Sequence, residues 1–539
     1  MPEIYTVSSL EKVLLHKKPK AEKSGTMAKN EVFAFQVAYK YNRFANDIKV
    51  EIKSPIKDFI TYRQVEYVAC TTPNLWEGDG FYFSDKSFAC PEILRPLKNG
   101  EAKARACEYS TLWFTVKGEQ LPVGKHRIEI ILYAPWCEPL KATYTLEVLD
   151  IELKEQELIY TNWFHYDGIA NYYKLPMFSK KYNEIMDDYI RVATNHGMNM
   201  LLVPMFTPPL DTRVGGERKT AQLIDVYLND GAYSFNFDRL IKFMKRAGEL
   251  GIKYYEMSHL FTQWGAKCAP KVIATVNGKK KRIFGWENSS TSKEYKEFLE
   301  ALLPQLKNRL LAEGVWEKCR FHLSDEPNEN CIDTYREVHA LFKSLMPDAP
   351  VTDALSHYDF YKLGLVDVAV CSTRAIDTFL ENKVENLFAY YCCAESGDML
   401  SNRFMSYTSL RNRVIGIQLY LNKISGFLQW GYNFYNTVLS DEAIDPYQIN
   451  DGAGAFQSGD AFIVYPGENG ALDSIRHEVF YDGLQDMRLF YTLEEKIGRK
   501  KAEALLREYG FEKGFRIYPH DEKSLLEVRK KAQMLILNS

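Results

Sequence analysis

From about residue 155 onward, short apolar runs alternate with amphipathic helical patterns, and this alternation constrains the fold more than any other feature of the chain. The runs are Leu158–Phe164, Met198–Pro204, Lys253–Ser258, Arg320–Ser324, Val351–Leu355, Val366–Cys371, Leu387–Cys392 and Gly426–Trp430. Helices with recognisable ends lie between several of them. Lys180–Asn195 follows Ser179 as a cap and stops at Gly197, and Asp238–Leu250 stops at Gly251. Lys293–Ala312 carries Pro304, which is expected to kink or divide it, and Ile332–Leu345 ends before Pro347. Eight strands with helical crossovers match a (β/α)8 TIM-like barrel. The alternative, a doubly wound open sheet, calls for a Gly-rich phosphate turn after its first strand. Asn162-Trp-Phe-His-Tyr-Asp-Gly168 is no such turn, and Gly452-Ala-Gly454 lacks a preceding strand.

The first 154 residues read differently. Glu31–Tyr39, Ile48–Ile52, Thr111–Val116, His126–Tyr133 and Ala142–Leu149 are short, rich in β-branched and aromatic residues, and separated by turns such as Leu121-Pro-Val-Gly124. Strands at this spacing predict an N-terminal all-β sandwich over 1–154. The barrel then takes 155–539, including a helical C-terminal extension from Ser474. Two domains are also what 539 residues predict, since one core seldom fills so long a chain.

A formal net charge of -3 argues against a general nucleic-acid binder. The basic run Gly278–Arg282 reads as a solvated hairpin loop. No run approaches the length needed to span a bilayer, and Met1-Pro-Glu-Ile-Tyr-Thr shows no signal-peptide pattern. A cytoplasmic location is the expectation, with no membrane partner. Ten cysteines are too sparse for a disulfide scaffold, and Cys392-Cys393 reads as part of an aromatic strand rather than a redox pair. There is no Cys-x-x-Cys and no His-x-x-x-His, so no metal or other cofactor is expected.

Within the barrel pattern, Phe321-His-Leu-Ser-Asp-Glu-Pro327 carries the strongest functional signal. Pro327 cannot continue a sheet ladder, so Asp325 and Glu326 fall at the carboxyl tip of the fourth strand, where barrels place their chemistry. Two adjacent carboxylates push their pKa values apart and keep a proton near neutral pH. The other tips supply Trp163 and His165, then Met205, His259, His357, Tyr390 and Tyr391, and finally Trp430 and Asn433. Carboxylates for acid/base work, aromatics for pyranose faces, and His and Asn for hydroxyls make the inventory of a sugar pocket. His322, alternating with Phe321 and Leu323, reads as a barrel-interior histidine rather than a catalyst.

With these residues in place, the chain resembles glycoside hydrolase family 123 and its uncharacterised relatives. The likeness rests on Ser324-Asp-Glu-Pro327, on Gly426-Phe-Leu-Gln-Trp-Gly-Tyr-Asn433, and on Tyr465-Pro-Gly467 with Ser474-Ile-Arg-His-Glu478 and Tyr481-Asp-Gly483. It implies a retaining β-N-acetylgalactosaminidase in which the substrate's own 2-acetamido oxygen attacks C1. Glu326 would then be the acid/base and Asp325 the carboxylate that orients and stabilises the acetamido group. Tyr391 would steady the acetamido carbonyl, with Tyr390 and Tyr358 as rivals. The substrate would be an oligosaccharide or glycoconjugate. The alternatives are a glycosidase on a sugar without an acetamido group, and an inactive carbohydrate-binding barrel.

Overall fold

A computed structural model describes residues 2–539 apart from 76, 77 and 119. The alternating pattern becomes an eight-stranded parallel sheet. Its strands are Ile159–Asn162, Met200–Val203, Tyr254–Met257, Cys319–Phe321, Thr352–Leu355, Val368–Ser372, Phe388–Tyr390 and Gly426–Gln429. The first strand pairs with both the second and the eighth. The seam between the fourth and fifth is drawn together by a parallel bridge from Phe321 to Val351, and the Phe321 N–H donates to the Pro350 carbonyl at 3.0 Å. The sheet thus curls into a nearly closed barrel.

Strand alternation sorts the side chains. Leu202, Ala354, Val370, Phe388, Tyr390 and Leu428 share the barrel interior. Leu201, Val203, Ala389, Tyr391 and Phe427 face the surrounding helices.

Helix ends follow the local chemistry. Ser179 and Ser292 accept from the backbone N–H groups of Tyr182 and Tyr295, and Gly197 takes φ +85° after the first of these helices. Pro304 neither divides nor ends its helix, which runs unbroken over Lys293–Ala312. Pro304 and Glu300 are both exposed, so water can serve the carbonyl that proline leaves free, while Leu302, Leu303 and Leu306 anchor the buried face. The basic run is likewise not a loop. Asn277-Gly278 makes the turn, and Lys279–Phe284 is an edge strand of an additional four-stranded sheet. Exposed lysines on an edge strand discourage pairing with other chains.

The N-terminal strands form sheets of seven and five strands. Phe35, Val37, Leu112 and Phe114 of the first share one apolar core with Ile128, Ile130, Tyr144 and Leu146 of the second. The seven-stranded sheet takes in Tyr465–Pro466 and Ala471–Ser474 from the far end of the chain, with Asp473 and Ser474 paired to Leu94 and Ile93. The long helix Ile475–Ile497 starts directly from that strand. It crosses the helix Ile415–Leu421 where Gly416 meets Gly483, and a Cβ on Gly416 would lie 1.6 Å from the Gly483 carbonyl oxygen.

Candidate active site

The segment after the fourth strand is anchored from below and from one side. His322 is fully buried, with Nε2 2.9 Å from Glu256 and Nδ1 3.1 Å from Asp353. Burial pulls its pKa down, but the hydrogen bonds and charges of the two carboxylates win and raise it to about 10. Asp353 also accepts from the Ser324 N–H at 3.3 Å and from the Tyr335 hydroxyl. Laterally, the Ser324 hydroxyl donates to the Thr262 carbonyl and accepts from the Ala266 N–H, while the Trp264 N–H donates to the Asp325 carbonyl at 2.8 Å. Against this anchorage Glu326 holds φ +42°, a strained value for a residue with a Cβ.

Asp325 and Glu326 open into a cavity of about 320 Å³ at the carboxyl end of the barrel. Its walls include Trp163, Trp264, Tyr390, Trp430 and Phe456. Trp264 is 43% exposed, so its ring is free to stack on a sugar face. The Trp430 indole N–H donates to Asp460 at 3.0 Å, and the Trp163 indole N–H to Glu256 at 3.4 Å. The Tyr390 hydroxyl donates to Glu326 at 2.7 Å. Burial and the charge of Glu326 push the Asp325 pKa well above the usual carboxylate range. A third carboxylate, Asp211, lines the same cavity, and burial raises it to about 6. A second cavity of about 330 Å³ lies between the N-terminal sheets and the last helix, remote from the carboxylate pair.

Residues 163–493 match the family description "Glycoside hydrolase 123, catalytic domain". The chain belongs to glycoside hydrolase family 123. Its fold is similar to that of a family 123 glycoside hydrolase from Clostridium perfringens described for glycolipid glycan hydrolysis. The two share 14% identity at a TM-score of 0.73, covering 100% of this chain and 97% of that one. Two family 5 enzymes are much more distant. A Bacteroides ovatus xyloglucanase gives TM-score 0.30 at 8% identity, covering 89% of this chain and 100% of that one. A Rhizomucor miehei mannosidase gives 0.34 at 12%, covering 62% and 94%. No curated protein matches.

The family 123 pocket collects Asp325, Glu326, Trp163, Tyr390 and Trp430 from the residues expected in sequence. Five others lie elsewhere. Tyr391 turns outward onto the Phe427 ring, 5.0 Å between centroids, and its buried hydroxyl has no partner among the described residues. Alternation decides this, because Tyr390 already faces inward. His165 sits behind Trp430, contacting its carbonyl at 2.9 Å and Arg218 at 3.2 Å; burial and Arg218 lower it to about 3. Asn433 braces that same loop, accepting from the His165 N–H at 2.8 Å. His259 lies in the barrel, stacked on His322 at 4.5 Å, with burial forcing its pKa well down. His357 lies outside the cavity wall, 3.3 Å from Glu329. The rival Tyr358 packs its ring on Phe379.

Asp211, Gln263, Leu439 and Phe456 were missed. They come from loops after the second, third and eighth strands, where no periodicity marks which side chains turn inward. Cys392 and Cys393 also line the cavity, and all ten cysteines are free thiols. Among the described residues, two buried groups have metal-like donor spacing: His259, His322 and Asp353, and His196, Asp473 and His477. Neither suits a cation. His322 spends both nitrogens on carboxylates and has no lone pair to give as an imidazolium, and Asp473 is already met by Arg63, His196 and His477.

Proposed function

We propose that this family 123 glycosidase releases terminal N-acetyl-β-galactosamine from glycans or glycoconjugates by substrate-assisted catalysis with retention. The observation that carries this is the adjacency of Asp325 and Glu326 at one strand tip, with Glu326 gripped by Tyr390. Neighbouring residues cannot easily straddle C1 as a nucleophile and an acid must, but they can serve two neighbouring substrate atoms. Burial and the charge of Glu326 disfavour the Asp325 anion, so the pair retains a proton. An acetamido N–H donating to Asp325 favours that anion and leaves the proton to Glu326, beside the leaving oxygen. The acetamido oxygen bonds to C1 as the glycosidic bond breaks, and Glu326 protonates the departing oxygen. Glu326 then takes a proton from water as water attacks C1 and the oxazolinium ring opens. In this proposal Tyr390, not Tyr391, is the tyrosine of the site, and residues 1–154 form a β-sandwich domain beside a catalytic unit at 155–539.

A glycosidase on a sugar lacking the acetamido group is the second reading, because Asp211 adds a third carboxylate to the cavity wall. Chromogenic N-acetyl-β-galactosaminide, N-acetyl-β-glucosaminide and plain β-galactoside separate the two. The first should be hydrolysed fastest and the plain galactoside hardly at all; preference for the plain galactoside rejects acetamido participation.

A further inference from the structure

We infer that Asp211 reads the hydroxyl groups of the terminal ring and, as a third carboxylate, restricts the pocket to sugars without an anionic substituent. This rests on the proposed function in one respect: a terminal sugar ring fills the cavity, with Asp325 and Glu326 engaged at its C1 and C2 side.

Ring hydroxyls that lose water on entering must find partners in the wall. Apart from the Asp325–Glu326 pair and the exposed Trp264 indole, which can only donate, the polar side chains there are already committed. Gln263 accepts from the Asp211 N–H at 2.6 Å and donates to the Thr212 carbonyl at 3.2 Å. Tyr390 donates to Glu326, and the Trp163 and Trp430 indoles donate into the protein. The thiols of Cys392 and Cys393 are weak partners. Asp211 is different. Its Oδ2 accepts from the Leu439 N–H at 3.1 Å, whereas its Oδ1 has no hydrogen-bond partner among the described residues.

The backbone around Asp211 is built to hold that oxygen in place. Asp211, Leu439 and Ser440 take φ of +37°, +58° and +55°, and the Ser440 hydroxyl closes the contact by donating to the Asp211 carbonyl at 2.7 Å. Strained residues pinned to one another across two loops form a preorganised acceptor rather than a mobile one. A carboxylate oxygen can accept from two neighbouring hydroxyls, the arrangement a pyranose presents.

Charge supplies the exclusion. Asp211, Asp325 and Glu326 line the cavity, and no lysine or arginine does so among the described residues. The nearby Arg218 is turned away and held by Asp167. A sulfate ester or uronate on the bound ring would enter beside like charges with no cation to meet it.

The test is equilibrium binding of free sugars to the full chain, read by fluorescence of the pocket tryptophans. The ligands are N-acetylgalactosamine, galactose and the 6-sulfate of each. The parent should bind neutral sugars at least about 10-fold more tightly than their sulfates, from like-charge repulsion. Asp211→Ala should weaken neutral binding about 10- to 100-fold, the range for a hydrogen bond to a charged group. Asp211→Asn keeps an acceptor for the Leu439 N–H, so the loop stays closed, and the ratio between neutral and sulfated sugars should fall toward one. In turnover, KM should rise with kcat nearly unchanged, as for loss of uniform binding. Equal binding of sulfated and neutral sugars by the parent overturns the inference, as does an Asp211→Ala variant with unchanged affinity. A collapse of kcat rescued by azide would make Asp211 a nucleophile and also overturn it. Preference for galactose over N-acetylgalactosamine would count against acetamido catalysis alone; the same Asp211→Ala loss measured on galactose would still uphold the role assigned here.

Discussion

The active-site pocket and the junction with the N-terminal sheets use the same kinds of residue to opposite ends. At the junction, Asp473 meets His196 at 2.9 Å, His477 at 2.8 Å and Arg63 at 3.2 Å, and Glu478 is bound by Arg63. Arg476 reaches Glu92 at 2.6 Å and donates to the carbonyls of Arg403, Gly459 and Phe462. Burial alone would raise the Asp473 and Glu478 pKa values; His196 and His477 in one case, and Arg63 in the other, bring them below the usual range. In the pocket, burial goes uncompensated and Asp325 and Asp211 are raised. Compensated charge holds two parts of the chain together. Uncompensated charge is left for a substrate to complete.

The sharpest break of this contrast lies at Glu326. Glu326→Gln should cost about 10²–10⁴-fold on substrates with poor leaving groups and much less on activated aryl glycosides. A leaving-group series with the slope of the parent would reject its role as acid. Asp325→Asn should cost roughly 10²–10³-fold, alike for good and poor leaving groups. It should also stabilise the fold at pH 7. A carboxyl whose pKa is raised on folding opposes folding once pH exceeds its ordinary value near 4, so the gain in Tm should vanish toward that pH. Thermal melts at pH 4 and pH 7 check the sign.

The junction should respond in the reverse sense. Arg476→Ala strands a buried Glu92 and should lose about 3–5 kcal/mol in urea unfolding, with kcat of the folded fraction little changed. His196 tests the pairing by pH. Burial lowers its pKa, but Asp473 and Glu478 outweigh that and raise it to about 10, so its contribution is complete below pH 6.5 and lost as pH rises through 10. His196→Gln should therefore be less stable than the parent at pH 6, with the gap closing toward pH 10. The smallest effect distinguishes two neighbours. Tyr390→Phe should lower kcat/KM about 10-fold through its lost bond to Glu326. Tyr391→Phe, which removes a hydroxyl with no partner among the described residues, should leave activity unchanged.

Several features could be read from the chain alone because their causes are local. Apolar periodicity gave the eight strands, serine caps and glycine stops set helix ends such as Ser179 and Gly197, and Pro327 marked where the fourth strand yields to its carboxylates. The motif residues Arg476 and Glu478 were also visible, but their work, tying the barrel to Glu92 and Arg63, was not. Nor was the direction of Tyr391, the withdrawal of His165, His259, His357 and Asn433 from the cavity, or the arrival of Asp211. Those depend on which face of a strand already points inward, and on loops whose course is set by distant partners such as Gln263 and Leu439. Local chemistry determines where a strand or helix starts and stops. Only the closed barrel decides which side chains share one low-dielectric space, and it is there that charge, burial and neighbours make a carboxylate reactive or merely structural.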